Sequence, residues 1–322
     1  MSQVSDRGEA TPAQRAAAAD PQTVQAEQQS RGDRTLNGIA MMLIAVSLFS
    51  LMDGFVKWLG DDYPTMQIVF FRSLFAFIPL AFIIHRMGGM SSALRVRRPG
   101  GHLLRCLCGT AAMSLLFYAY SQMKLADAVA ISFAAPLFIT LLSVPMLGEK
   151  VGMRRWLACL VGFVGVVIMI QPGPGVFQVI ALVPLLGALF NALAMIYVRS
   201  LSRTETNASI IFWFTVSTTL LSGVFMPFQW VMPVGWDWGL LIMVGLLGGG
   251  AQIAMTAAFS RGAVAVIMPF KYTSMLWAVL TGWLIWGETP GLHIWLGWPL
   301  VVLSGLYIVY REAMLRRSPR TG

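Results

Sequence analysis

Three charged side chains stand inside otherwise apolar segments of the chain: Asp53, Arg72 and Lys271. Charges inside a bilayer are costly and usually mark a site or a pair. A guanidinium can hold a carboxylate or a phosphate through two parallel hydrogen bonds, so Arg72 is a candidate anion clamp and Asp53 a candidate protonatable switch beside it. A purely structural Asp53–Arg72 pair, with Lys57 extending outward to the membrane surface, fits the same spacing.

Lys271 is a stronger candidate for binding a cargo than Asp53 or Arg72. It lies about 12 Å along its predicted helix at 1.5 Å per residue, too deep to reach the membrane surface easily. Pro269 precedes it and can kink the helix, and Tyr272 and Trp277 follow with aromatic surface. We predict that Lys271 lines a cavity and attracts an anionic or zwitterionic cargo. The alternative is a lysine that donates to backbone carbonyls freed at the kink.

Asn191, Gln252 and Tyr118 are the remaining predicted substrate-binding residues. A polar group inside a membrane needs a partner, and each of these side chains could bind either the cargo or a neighbouring helix. No catalytic or metal-binding constellation stands out, because the three histidines are scattered near helix ends. A G-x-x-x-x-G-K-[ST] phosphate-binding loop is also absent. We therefore predict no metal and no cofactor.

The segments that carry these residues are too apolar for a soluble protein. Of 322 residues, 57% are hydrophobic and 11% are charged, whereas soluble domains carry about 25% charged residues. Apolar runs near the length that crosses ~30 Å of hydrocarbon recur along the chain. This excludes a soluble enzyme, a disordered chain and a disulfide scaffold, and predicts an all-α polytopic protein of the inner (plasma) membrane.

Ten transmembrane helices are predicted, with both termini in the cytoplasm. Lys and Arg hold short loops on the cytoplasmic side, and with the N-terminus inside, 19 of the 23 basic residues fall there. The net charge of +9 therefore reflects basic residues that orient the protein in the membrane, and we expect no nucleic-acid partner. Residues 1–35 are predicted as a disordered cytoplasmic tail and 311–322 as a basic cytoplasmic tail. The predicted helices span 36–58, 65–86, 102–122, 126–147, 152–170, 177–199, 207–231, 236–259, 263–285 and 290–310.

The chain repeats itself at an offset of 139 positions. Gly109 aligns with Gly248, Gly148-Glu149 with Gly287-Glu288, and Trp156 with Trp295. The repeats are five-helix units, 36–170 and 177–310, and an odd number of helices inserts the second unit upside down. Inverted repeats suit alternating access, because exchanging the conformations of the halves moves the opening across the membrane. We interpret the G-E pairs as structural, with Gly ending one helix and Glu favouring the start of the next.

Two five-helix halves, each with a fourth helix closing on G-E, resemble the EamA-type branch of the drug/metabolite transporter (DMT) superfamily. Ala134-Ala135-Pro136 and the run Pro269 to Tyr272 are also similar to that family, although Met275 stands at the counterpart of Pro136. The resemblance covers residues 36–310. It implies a ten-helix carrier for small metabolites with a central cavity between the halves, and it does not name the cargo.

We therefore expect a secondary transporter, not an enzyme, that moves a small polar metabolite, anionic or zwitterionic, by alternating access. The cargo gradient, exchange or protons could drive it. Its expected partners are this metabolite and the lipid bilayer, while the oligomeric state is left open. The alternative from a different class is an intramembrane enzyme acting on a lipid-linked or membrane substrate.

The predicted orientation can be tested with reporter fusions. A fluorescent protein inserted in the 87–101 loop should fluoresce, because the basic residues there hold the loop in the cytoplasm. An alkaline phosphatase fusion at the same place should be inactive, and one at residues 60–64 should be active. The reverse pattern would contradict the orientation.

Overall fold

The computed structural model describes residues 21–86, 89–148, 152–171, 176–261 and 264–317. The first helix begins at Pro21 rather than at residue 36, so the second part of the segment predicted as a tail is helical. Residues 1–20, Glu149 of the first G-E pair and the end of the basic C-terminal tail lie outside the described residues.

The described chain is helical throughout. Its helices are α1 (Pro21–Leu59), α2 (Thr65–Arg86), α3 (Gly89–Leu94), α4 (Pro99–Gln122), α5 (Leu125–Ser132), α6 (Ala135–Leu147), α7 (Met153–Ile170), α8 (Val176–Leu201), α9 (Asn207–Gly223), α10 (Met226–Gln229), α11 (Asp237–Arg261), α12 (Val264–Ile267), α13 (Ser274–Trp286) and α14 (Leu292–Arg317). A 3-10 segment, Met268–Thr273, joins α12 to α13.

Eight helical segments among the described residues are long and apolar enough to cross a membrane, against the ten predicted. The predicted span 207–231 corresponds to α9, which has 17 residues and ends at Gly223, and to the short α10 that contains Pro227. The predicted span 263–285 is interrupted by the 3-10 segment. The eight therefore confirm a polytopic membrane protein, whereas the exact number of crossings stays a prediction.

The fourth helix of each repeat is broken at an equivalent position. In the first repeat α5 ends at Ser132 and α6 starts at Ala135, with Pro136 in its first turn, where a missing N–H costs nothing. In the second repeat the 3-10 segment carries Pro269. Both helices then end on a left-handed glycine, Gly148 (φ 66°) and Gly287 (φ 65°), as the sequence predicted.

Helices pack according to their place in the repeat. The first helix of each repeat lies against the third helix of the other, which pairs α1 with α11 and α8 with α4. The second, fourth and fifth helices meet their own counterparts, in the pairs α2–α9, α5–α13 and α7–α14. The two halves therefore interlock, and neither forms a separate bundle.

The buried apolar residues form one large cluster and two small ones. We call the side of loops 60–64, 123–124 and 287–291 the outer side, because the basic residues predict it to face away from the cytoplasm. The largest buried cluster reaches that side through Val56, Met123 and Leu241. Toward the inner side, further buried apolar residues form two separate small clusters, one around Met42 and one around Leu80.

A glycine sets the closest approach between α7 and α14. A Cβ added at Gly165 would lie 2.7 Å from the carbonyl oxygen of Gly297 and 2.9 Å from Leu300 Cβ. We expect Gly165→Val to lower the free energy of unfolding by about 1–3 kcal/mol, the usual cost of overpacking. Thermal unfolding in detergent measures this, with Gly239→Val as the control because a Cβ there meets nothing within 4 Å. Equal stability of the two variants would contradict the close contact.

Candidate functional site

Lys271 lies on the 3-10 segment that breaks the fourth helix of the second repeat. A Cβ at Gly38 of α1 would approach Ile267 to 3.0 Å, and one at Gly54 would approach Thr281 to 3.1 Å, so Lys271 lies at a depth between these two levels. Its side chain is exposed, and among the described residues no hydrogen bond or ion pair reaches its amine. An irregular backbone at this depth is tolerated where it is buried in protein or lines a water-filled cavity.

Tyr272, the next predicted site residue, is buried and connects the two repeats. Its ring centroid lies 4.9 Å from that of Phe133, which stands at the break of the first repeat. The two residues are separated by the repeat offset of 139, so equivalent positions of the two halves touch each other. The Tyr272 hydroxyl lies against Gly305 of α14, where a side chain would collide with it. Tyr272 is therefore placed at the contact between the halves, next to Lys271.

Arg72 and Gln252 line one pocket together with Arg105. The pocket has a cavity volume of about 40 Å³ between α2, α4, α9 and α11, and it runs along α2 from Arg72 to Ile83, toward the inner side. Both guanidinium groups are buried, and within the described chain no carboxylate lies within 4 Å of either. Arg105 stacks over the ring of Phe214 at 4.0 Å.

Asp53 does not form a close ion pair with Arg72 among the described residues. Its carboxylate lies beside the buried hydroxyl of Tyr120, which is placed to donate to it, and it attracts Arg72 over a longer distance. Asp53 thus has a hydroxyl partner of its own. The guanidinium of Arg72 remains directed at the pocket.

Lys57 is buried and does not extend to the membrane surface, contrary to the sequence interpretation. Its Nζ lies 2.9 Å from Glu288 Oε1 and donates to the carbonyl of Met123 at 2.8 Å. Glu288 also accepts the backbone N–H of Leu125 at 3.2 Å, which caps α5 rather than the helix that follows Glu288. The sequence could not show this, because the partners are far apart along the chain.

Further hydrogen bonds tie the outer-side loops of one repeat to those of the other. Tyr63 donates to Asp237 at 2.6 Å, and Lys124 donates to the carbonyl of Thr289 at 2.7 Å. Gln67 both donates to and accepts from the backbone of Val231. Together with the Lys57–Glu288 pair, these hydrogen bonds connect the two repeats on the outer side.

The other predicted site residues are not gathered with these groups. Asn191 is half-buried on α8, while Tyr118 and Trp277 are 42% and 40% exposed. The structure contributes one site residue that sequence reasoning assigned elsewhere. Arg105 stands near the start of the predicted helix 102–122 and belongs to the 19 basic residues assigned to the cytoplasmic side, whereas α4 begins at Pro99, so Arg105 lies about one turn deeper in the helix and is buried.

Comparison with known proteins agrees with this architecture. The family described as the EamA-like transporter family matches residues 36–171 and 178–311, one match for each repeat. A riboflavin transporter of Rhizobium johnstonii is 29% identical over 89% of this chain and 95% of its own length. A pseudopaline exporter of Pseudomonas aeruginosa is 30% identical over 89% of this chain and 99% of its own. An S-adenosylmethionine uptake transporter of Rickettsia prowazekii is 28% identical over 86% of this chain and 94% of its own.

The two family matches together cover most of the chain, so the chain belongs to the EamA-like transporter family. It is a multi-pass membrane protein, and the inner-membrane location predicted from its sequence agrees with this membership. Family and relatives point to a transporter of a small molecule rather than to an enzyme.

Proposed function

We propose that this EamA-like transporter is a secondary carrier that moves a small polar metabolite, anionic or zwitterionic, across the inner membrane by alternating access. The observation that carries the proposal is the Lys271 amine, which pairs with no described residue and lies at the break of a discontinuous helix. A lysine at this depth is costly unless water or an anionic group reaches it. A carboxylate or phosphate group of the cargo would pair with the Lys271 amine while the cargo is bound.

The packing of the two sides supports alternating access. The outer-side loops are joined by an ion pair and by hydrogen bonds between repeats, while the pocket of Arg72 runs toward the inner side. We propose that this arrangement corresponds to the inward-facing state of the carrier. In the opposite state we expect the outer contacts to open and the inner ends of α2 and α9 to close, since each repeat would adopt the conformation of the other.

We also propose that the chain crosses the membrane ten times with both termini in the cytoplasm. The predicted seventh and ninth spans lie in register with the second and fourth, and α9 packs on its counterpart α2 as α13 packs on α5. Five crossings in each repeat would invert the second half. The relatives' names include both uptake and export, so the direction of transport here is left to the flux experiment.

The lysine can be tested by transport with purified protein in liposomes. We expect Lys271→Ala to abolish uptake of whichever solute the wild type carries, in a panel of amino acids, nucleotides and vitamins. Folded yield should be retained, because no described residue pairs with the amine. Lys271→Arg should keep part of the flux, and Arg203→Ala, an exposed loop residue, is the matched control. Unchanged flux in Lys271→Ala, or transport of neutral and cationic solutes alone, would contradict the cavity role.

The outer contacts can be tested by accessibility. Glu288→Gln removes the charge that holds Lys57, so we expect the outer side to open more often. Ser50, 5% exposed on α1, serves as the reporter position after replacement by Cys in a chain without native cysteines. Labelling from outside by a membrane-impermeant maleimide should rise at least about fivefold, because breaking a buried pair costs more than ~1 kcal/mol.

The exposed loop residue Asp61 provides the control for this measurement, as Asp61→Asn. Its labelling rate should match that of the unmodified Glu288 background. If Glu288→Gln labels no faster than Asp61→Asn, the Lys57–Glu288 pair does not hold the outer side closed.

A further inference from the structure

Two buried cations share a pocket whose described lining contains no carboxylate. Arg72 and Arg105 are each 8% exposed, and they are close enough to repel each other. Nε of Arg72 and both Nε and Nη1 of Arg105 are buried with no hydrogen-bond partner among the described residues. Buried charges in folded proteins are normally paired, because leaving them unpaired costs several kcal/mol per ion. Two such groups in one pocket indicate a missing anionic partner.

Each guanidinium lies against a glycine, and the two glycines are equivalent in the repeat. A Cβ at Gly109 would collide with Arg105 Nη1, and a Cβ at Gly248 would lie 3.0 Å from Arg72 Nε. Gly109 and Gly248 are separated by the repeat offset of 139 and stand on α4 and α11, the third helices of their repeats. The absence of a side chain at these two positions is therefore what makes room for both guanidinium groups.

The rest of the pocket suits a polar anion. Gln252 lines it with an amide that forms no hydrogen bond to a described side chain, and Thr215 and Thr256 line it with hydroxyl groups. Phe214 covers one face of Arg105. None of its lining residues is acidic. Asp53 is not part of this lining. It attracts Arg72 from a longer distance, and its carboxylate lies beside the Tyr120 hydroxyl.

We infer that Arg72 and Arg105 together form the binding site for a dianionic cargo, one that carries two carboxylates or a phosphate group. The inference rests on the proposed function and narrows its substrate class. A dianion can place one negative group against each guanidinium, whereas a monoanion can contact only one of them closely, and Asp53 attracts Arg72 only from outside the pocket lining. Carboxylates and phosphates both accept the two parallel hydrogen bonds of a guanidinium.

Binding can be measured on the purified full-length protein in detergent, by thermal unfolding at constant ionic strength. Succinate and inorganic phosphate are the dianionic probes, and lactate and chloride are the monoanionic comparisons. We expect one or both dianions to raise the melting temperature in the millimolar range while the monoanions do not. Succinate and phosphate also distinguish the two sources of the charge. Equal shifts by all four anions, or no shift by either dianion, would overturn the inference.

The arginines are tested by substitution. Arg105→Gln should weaken dianion binding at least about tenfold, as truncating one partner of a buried charge pair does. Without ligand this variant should unfold at the same temperature as the wild type or higher, because it removes a buried charge that no described carboxylate neutralises. A structural role would produce the opposite result. Arg105→Lys keeps the charge but not the planar guanidinium, so its dianion affinity should lie between those of the wild type and Arg105→Gln. Arg203→Gln should bind dianions as tightly as the wild type.

The glycines provide an independent test on a single helix. Gly248→Ala should weaken dianion binding because its Cβ displaces the Arg72 guanidinium, whereas Gly239→Ala, also on α11, should have no effect. Equal dianion binding by both variants would contradict the proposed position of the Arg72 guanidinium against Gly248.

Liposome flux separates this inference from the proposed function. Lys271-dependent transport of a zwitterion such as leucine, with no transport or binding of dianions, would overturn the dianion site and leave the carrier function standing. Dianion binding that requires both arginines, without flux of any solute in the panel, would overturn the carrier function and leave the site.

Discussion

The structure depends on how positive charge is accommodated in an apolar interior. A buried cation must find an anion, backbone carbonyls, an aromatic face or water. Lys57 finds Glu288, two carbonyls and the ring of Trp286. Arg72, Arg105 and Lys271 have no such ion pair among the described residues. The paired lysine lies on the outer side, where hydrogen bonds also connect the two repeats.

A symmetric scaffold carries an asymmetric set of charges. Helix packing, the broken fourth helices, the terminal glycines and the Phe133–Tyr272 contact all follow the repeat. The charges do not follow it, since Ser132 stands at the counterpart of Lys271 and Ile211 at that of Arg72. The proposed exchange of conformations between the halves would therefore need only the symmetric parts. The charged side chains are free to be specific for one cargo.

The features that the sequence predicted best depend on residues close together along the chain. Hydrocarbon thickness sets the length of an apolar run, so most of the spans were predictable, and the left-handed glycines at Gly148 and Gly287 follow from the preference of helix ends. Sequence reasoning was least successful at the interrupted spans, because an apolar run looks the same whether its backbone is α-helical or passes through a 3-10 segment. Pro269 was the available signal for that break.

The sequence by itself determined the membrane class, the two repeats and the small number of charges that require explanation, because these follow from composition and periodicity. Only the tertiary structure decided which of those charges are paired. Glu288 lies far from Lys57 along the chain, and Arg105 joins Arg72 only because α4 and α2 face the same pocket. Pairing depends on distances between helices across the bundle, and no spacing along one helix contains that information.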